Sequence, residues 1–89
     1  MGRRVRESQK SILRWAEANL PPRSPDEIMH EFLDAVKELE VAWFTSDSYV
    51  EVAEGIGEVA VLLCRIAGEI STEVTTEMDA VMARKRKGS

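Results

Sequence analysis

Apolar positions in this chain recur at three- and four-residue intervals, and short polar or proline-rich breaks divide them into four segments. In the first, Ile12, Trp15, Ala16 and Leu20 make one stripe, predicting a helix from about Val5 to Asn19. Leu20-Pro21-Pro22 ends it, because proline supplies no amide donor and restricts the residue before it. Ser24-Pro25-Asp26-Glu27 then reads as a helix start, with Ser24 at the N-cap, Pro25 at the first helical position and Glu27 closing a capping box. The second helix is predicted to run to about Phe44. Ile28, Phe32, Val36, Leu39 and Trp43 form its apolar face, with Ala35 and Ala42 at the margin. After the loop Thr45-Ser46-Asp47-Ser48, Ser48 and Glu51 predict a second capping box, opening a third helix that lasts to about Ile70.

That third helix is apolar around most of its circumference, which predicts a central place in a bundle or at an oligomer interface. Its polar strip is narrow: Glu51, Glu54, Glu58, Arg65 and Glu69. Gly55 and Gly57 interrupt it at up to about 1 kcal/mol each relative to alanine, permitting close helix approach or leaving room beside a ligand. Val74, Met78, Val81 and Met82 predict a fourth helix from about Glu73 to Arg84. Almost no strand pattern is present. The expected fold is all-α, one four-helix, bundle-like domain over residues 1–89, with flexible basic ends at 1–4 and 85–89.

At 89 residues the core is marginal for a lone chain, and with 44% apolar residues a second copy would help bury the excess. Cys64 is the only cysteine and cannot form an intrachain disulfide. No secretory signal is evident, and the longest apolar run, Val59 to Cys64, is too short to span a membrane. A soluble, cytoplasmic protein is the expectation. The net charge of −4 conceals segregation: residues 1–14 carry +4, residues 84–87 another +4, and residues 15–83 carry −12. Basic ends around an acidic middle argue against a duplex-DNA binder, whose footprint is usually one basic face. They would suit a polyanionic ligand near acid-bound metal; a pair of merely solvated ends explains them equally well.

The acidic middle holds the candidate chemistry. Glu31, Asp34 and Glu38 on the second helix, and Glu51, Glu54 and Glu58 on the third, share the spacing i, i+3, i+7 and so line one face of each helix. If the faces meet, converging carboxylates would repel one another unless a divalent cation sat between them. Magnesium suits such hard oxygen ligands. It could bridge phosphate oxygens and lower the pKa of an attacking water, which a neighbouring glutamate could orient or deprotonate. Acidic residues on exposed helix faces are common, so the spacing alone carries little weight.

A family resemblance adds to this. Gln9-Lys10-Ser11-Ile12-Leu13-Arg14-Trp15 followed by Leu20-Pro21 resembles the opening of MazG-like nucleoside triphosphate pyrophosphohydrolases, a Gln-x-x-Ile-x-x-Trp helix leading to an apolar-Pro turn. Asp34-Ala35-Val36-Lys37-Glu38-Leu39 is similar to the family's Glu-Glu-x-x-Glu-Leu stretch. The segment from Glu58 to Ala67 is similar to its Asp-Val-Leu-x-x-Leu-Leu-Arg-Leu-Ala helix, and Arg84-Lys85-Arg86-Lys87 to its basic C-terminus. The resemblance implies an all-α fold assembled as a homodimer or homotetramer. It also implies hydrolysis of nucleoside triphosphates to monophosphates and pyrophosphate, with magnesium held by paired acidic residues. Carried over by position, Glu38 and Glu58 take the second ligand place of each pair. The first places fall on Ala35 and Gly55, which cannot ligate; Asp34 and Glu54, one residue earlier, are the substitutes, displaced about 100° around their helices.

The expected site is therefore Asp34, Glu38, Glu54 and Glu58 on magnesium, with Glu31 and Glu51 as general bases or supports for the ligands. Trp15 matches a family position near the base, although a tryptophan at helical spacing is more often core. Lys85 and Arg86 would reach phosphates, or else belong to a solvated tail. Arg65 is expected to pair with Glu69 one turn on, Cys64 to be a buried inert thiol, and His30 to have no role. The alternative reading is a catalytically inactive nucleotide-binding or protein-interaction module of the same fold, which Ala35 and Gly55 favour. A helical interaction protein with nucleic-acid-binding tails rests on the basic ends alone.

Overall fold

The computed structural model describes residues 8–88, which form four α-helices and, among themselves, no strand. α1 spans Gln9–Asn19, α2 Pro25–Thr45, α3 Tyr49–Glu69 and α4 Val74–Gly88. Within the described residues α1 opens at Gln9. Ser8 is extended and caps the helix, exchanging side-chain and backbone hydrogen bonds with Ser11. The predicted start at Val5 and the basic residues 1–4 lie outside the described residues. At Ser24 the anticipated box is present: the Ser24 N–H donates to Glu27 Oε1 at 2.8 Å and the Glu27 N–H to Ser24 Oγ at 3.2 Å. Hydrogen bonding to the Ser24 backbone N–H foremost, and then to the Ser24 side chain, holds the Glu27 carboxyl below its usual pKa.

Ser48 does cap α3, but not through Glu51. Its hydroxyl accepts from the Val50 N–H, while its own N–H donates to Ser46 Oγ at 3.1 Å. The loop serine has taken the amide that Glu51 would have filled. α4 runs past Arg84 to Gly88, so Lys85, Arg86 and Lys87 form its last turn rather than a loose tail.

α1, α2 and α4 each pack on α3, which is central as its apolar circumference requires. α2 and α3 are 21 residues each, joined by only three, and lie antiparallel. α2 turns Ile28, Phe32, Ala35, Leu39 and Ala42 inward; α3 turns Val52, Gly55, Val59, Leu62 and Ile66. These alternate by three and four residues, the period of a coiled-coil seam. Small residues win places on it because they let the backbones approach. A Cβ added at Gly55 would stand 3.0 Å from Leu39 Cδ1. The expected inward face therefore shifts: Ala35 is buried, while Val36 and Trp43 are 39% and 63% exposed.

α1 crosses the open end of this hairpin, with Leu13 against Gly68 and Ala16 buried. Trp15 faces outward, half exposed, because Leu13 and Ala16 occupy the contact with α3. α3 ends in a Schellman motif: Ser71 N–H donates to Gly68 O at 3.1 Å and Thr72 N–H to Ala67 O at 3.0 Å, with Ser71 at φ 57°. The Gln9 side chain then clips the turn into α4. Its Nε2 donates to Thr72 O at 2.7 Å and its Oε1 accepts from Val74 N at 2.8 Å. α4 itself buries no residue. No helix among the described residues is long and apolar enough to cross a membrane.

Candidate functional site

The α2/α3 hairpin has two unlike flanks. Taking Ala35 and Gly55 as the seam, Glu31, Asp34 and Glu38 fall roughly 40–100° to one side of α2, and Glu51, Glu54 and Glu58 fall equally far to the corresponding side of α3. Because the helices are antiparallel, those displacements point to the same flank. An ion pair fixes this in space. Arg65 of α3 shares that flank, and its Nη1 lies 3.9 Å from Glu31 Oε1 of α2.

Register follows from the Leu39–Gly55 contact. Glu38 and Glu54 immediately precede those two residues, so they sit at one level of the hairpin. Asp34 and Glu58 lie one turn from them toward the open end. The four expected ligands thus occupy one band, and all four are exposed. They are not drawn together: among the described residues no three His, Cys, Asp or Glu side chains are close enough to hold a metal ion. Ala35 is buried in the seam between the helices, and Gly55 stands there against Leu39.

Glu31 and Glu51 part company. Glu31 Oε2 takes Arg23 Nε at 2.8 Å while Oε1 faces Arg65, so both its oxygens are committed to guanidinium groups. Arg23 comes from the Pro21-Pro22 turn, and this triad ties that turn to α2 and α3. Arg65 is the most enclosed member, its side chain only 12% exposed. Its partner is Glu31 across the hairpin, not Glu69 along α3, because the helix pair brings Glu31 to the side where a long cationic side chain is already desolvated. Glu51 stands free of Ser48 in the first turn of α3 and is exposed.

The proposed substrate contacts lie apart from this band. Trp15 sits on α1, outward-facing. Lys85 and Arg86 lie on α4, which faces Leu63, Ile66 and Ile70 of α3 across a concavity on the flank opposite the band. Cys64 is half-buried, and burial pushes its thiol pKa up, in keeping with an unreactive thiol. Two residues that the spacing did not reveal are the Gln9 clip and Arg23, because each acts on a partner distant in sequence or on the backbone. No protein-family model, curated protein or solved structure matches the chain.

Proposed function

We propose that this protein is a magnesium-dependent hydrolase of nucleoside triphosphates, working as a homodimer or homotetramer and releasing a monophosphate and pyrophosphate. The observation that carries the reading is the single band of Asp34, Glu38, Glu54 and Glu58 on one flank of the α2/α3 hairpin. Hard carboxylate oxygens suit magnesium, as they suit the other hard divalent cations. Their exposure leaves each side chain free to turn toward an ion. Asp34, Glu38, Glu54 and Glu58 would hold the metal, which would supply charge neutralisation at the phosphates and a more acidic water. Glu51, uncommitted at the loop end of the same flank, would orient that water or take its proton. Glu31 would hold Arg23 and Arg65 in place at the other end, where a guanidinium would meet phosphate oxygens.

A second reading is favoured by Ala35 and Gly55. Residues committed to helix packing at the places where the resemblance expects ligands would leave a nucleotide-binding or interaction module without turnover. Pyrophosphate release from a panel of ordinary and modified nucleoside triphosphates, with and without magnesium, separates the two. The hydrolase reading expects magnesium-dependent release. It also expects the double change Glu38→Gln, Glu58→Gln to cost more than the ~10–100-fold that loss of an outer supporting partner costs. Nucleotide binding with no release at high protein concentration supports the module instead.

A further inference from the structure

The flank opposite the carboxylates is apolar and largely uncovered. Val36, Trp43 and Ile56 are exposed on α2 and α3, and Met78, Val81 and Met82 are exposed on α4. Two concavities mark the flank. One, of about 490 Å³, lies near the α2–α3 loop beside Val36, Trp43, Val52 and Ile56. The other, of about 450 Å³, lies at the opposite end between α3 and α4, beside Leu63, Ile66, Ile70, Met78 and Met82.

The chain also exposes more surface than a folded monomer of its mass. Its accessible area is 7495 Å², against about 5,200 Å² for a folded monomer of 10.0 kDa. Its radius of gyration is 15.2 Å, against about 12 Å for 89 residues. The excess, on the order of 2,000 Å² per chain, exceeds the ~800 Å² per partner of a standard interface and falls in the range of permanent homodimers. α4 makes the same point locally. A 15-residue helix is marginal in water without packing, and this one buries no residue within its own chain.

We infer that the occupant of this flank is the same flank of a second copy, turned end for end. Trp43, projecting at the loop end of one copy, enters the α3/α4 groove of the other, and the methionines of that α4 enter the concavity beside Ile56. The end-for-end arrangement makes each Trp43-to-groove contact twice, as an isologous two-fold interface requires; the side-by-side arrangement sets each end on its own counterpart. Methionine side chains adapt to such a fit. The pairing also keeps the two acidic bands on the outside of the assembly, where water and cations screen them. This inference rests on the homo-oligomer part of the proposed function and names its surface; it is independent of whether the carboxylates turn over nucleotide.

Light scattering coupled to size exclusion tests it across a concentration series, beside equilibrium sedimentation. The wild-type chain is expected at twice its 10.0 kDa mass. Trp43→Glu and Met78→Glu alter side chains exposed within the single chain, so circular dichroism should keep a helical signal, while each raises the dimer dissociation constant at least tenfold. Mixed together, the two variants should recover dimer, since one intact projection then meets one intact groove. Val41→Glu, exposed on α2 off this flank, should leave association unchanged. A wild-type monomer at all concentrations overturns both this inference and the oligomer reading. A dimer indifferent to Trp43→Glu and Met78→Glu, or variants that do not rescue each other, overturns the interface alone. Pyrophosphate release measured on the same samples reports separately on the hydrolase reading.

Discussion

Ser71 holds a conformation that its side chain disfavours. At φ 57° it closes the α3 Schellman motif, a place glycine usually takes. The left-handed region costs a non-glycine residue about 1–2 kcal/mol, and glycine returns about 0.5–1 kcal/mol of that through its freer unfolded chain. Ser71→Gly is therefore expected to stabilise the fold by up to about 1 kcal/mol, seen as a rise of several degrees in Tm by circular dichroism. An unchanged or lower Tm would mean that the serine side chain makes good the backbone cost. Gln9 and Ser24 show what could be read at this scale and what could not. The Ser24–Glu27 box was legible because both partners lie within one turn and their residue types announce the bond. The Ser8–Ser11 box carries no such signal, because its third position is serine rather than Glu or Gln. The Gln9 clip joins residues more than sixty apart, so no local pattern points to it.

Between α2 and α3 the controlling variable is how closely two backbones approach. The apolar pattern put α2 in a helix correctly and α3 at the centre. It favoured large residues such as Val36 and Trp43 for the seam, where the pair uses Ala35, Leu39 and Ala42. Residue size decides this only once the partner is known, and the partner is a helix carrying Gly55. The two glycines of α3 should then behave oppositely. Nothing lies within 4 Å of a Cβ at Gly57, so Gly57→Ala should gain about 1 kcal/mol of helix propensity. Gly55→Glu, which places an acid where the resemblance would have one, forces a Cβ to 3.0 Å from Leu39 Cδ1. It should cost about 2 kcal/mol or more through overpacking and a carboxylate turned into the seam. Urea unfolding of both variants checks the pair. If Gly55→Glu were instead neutral and gained magnesium affinity, the seam assignment of that position would be wrong. The Glu31–Arg65 bridge belongs to this scale too: each residue looks like an ordinary surface charge until the hairpin sets them face to face.

For the whole molecule, the charge layout and the two flanks pull in one direction. Residues 15–83 carry −12, and six of their carboxylates line one flank of a hairpin whose other flank exposes Val36, Trp43 and Ile56. Without a cation, like charges one turn apart along each helix cost about 0.2–0.5 kcal/mol per pair, and those facing across the hairpin add to it. A bound divalent ion removes that repulsion and stabilises the folded state by RT ln(1 + [L]/Kd), about 2.7 kcal/mol at one hundred times Kd. Magnesium should therefore raise Tm by more than sodium chloride at equal ionic strength, since diffuse screening acts on every exposed pair while a site acts on one. The double change Glu38→Gln, Glu58→Gln gives the opposite signs in the two conditions. In metal-free buffer it should melt higher than the wild type, because two of the crowded charges are gone. In magnesium it should melt lower, because the ion has lost two ligands. Differential scanning calorimetry of both proteins in both salts reads the crossing directly. Parallel curves with no crossing would make the acidic band a solvated helix face, as the even exposure of its members allows. A crossing would place the ion on that flank without reference to any substrate, and would do so whether or not the chain turns over nucleotide.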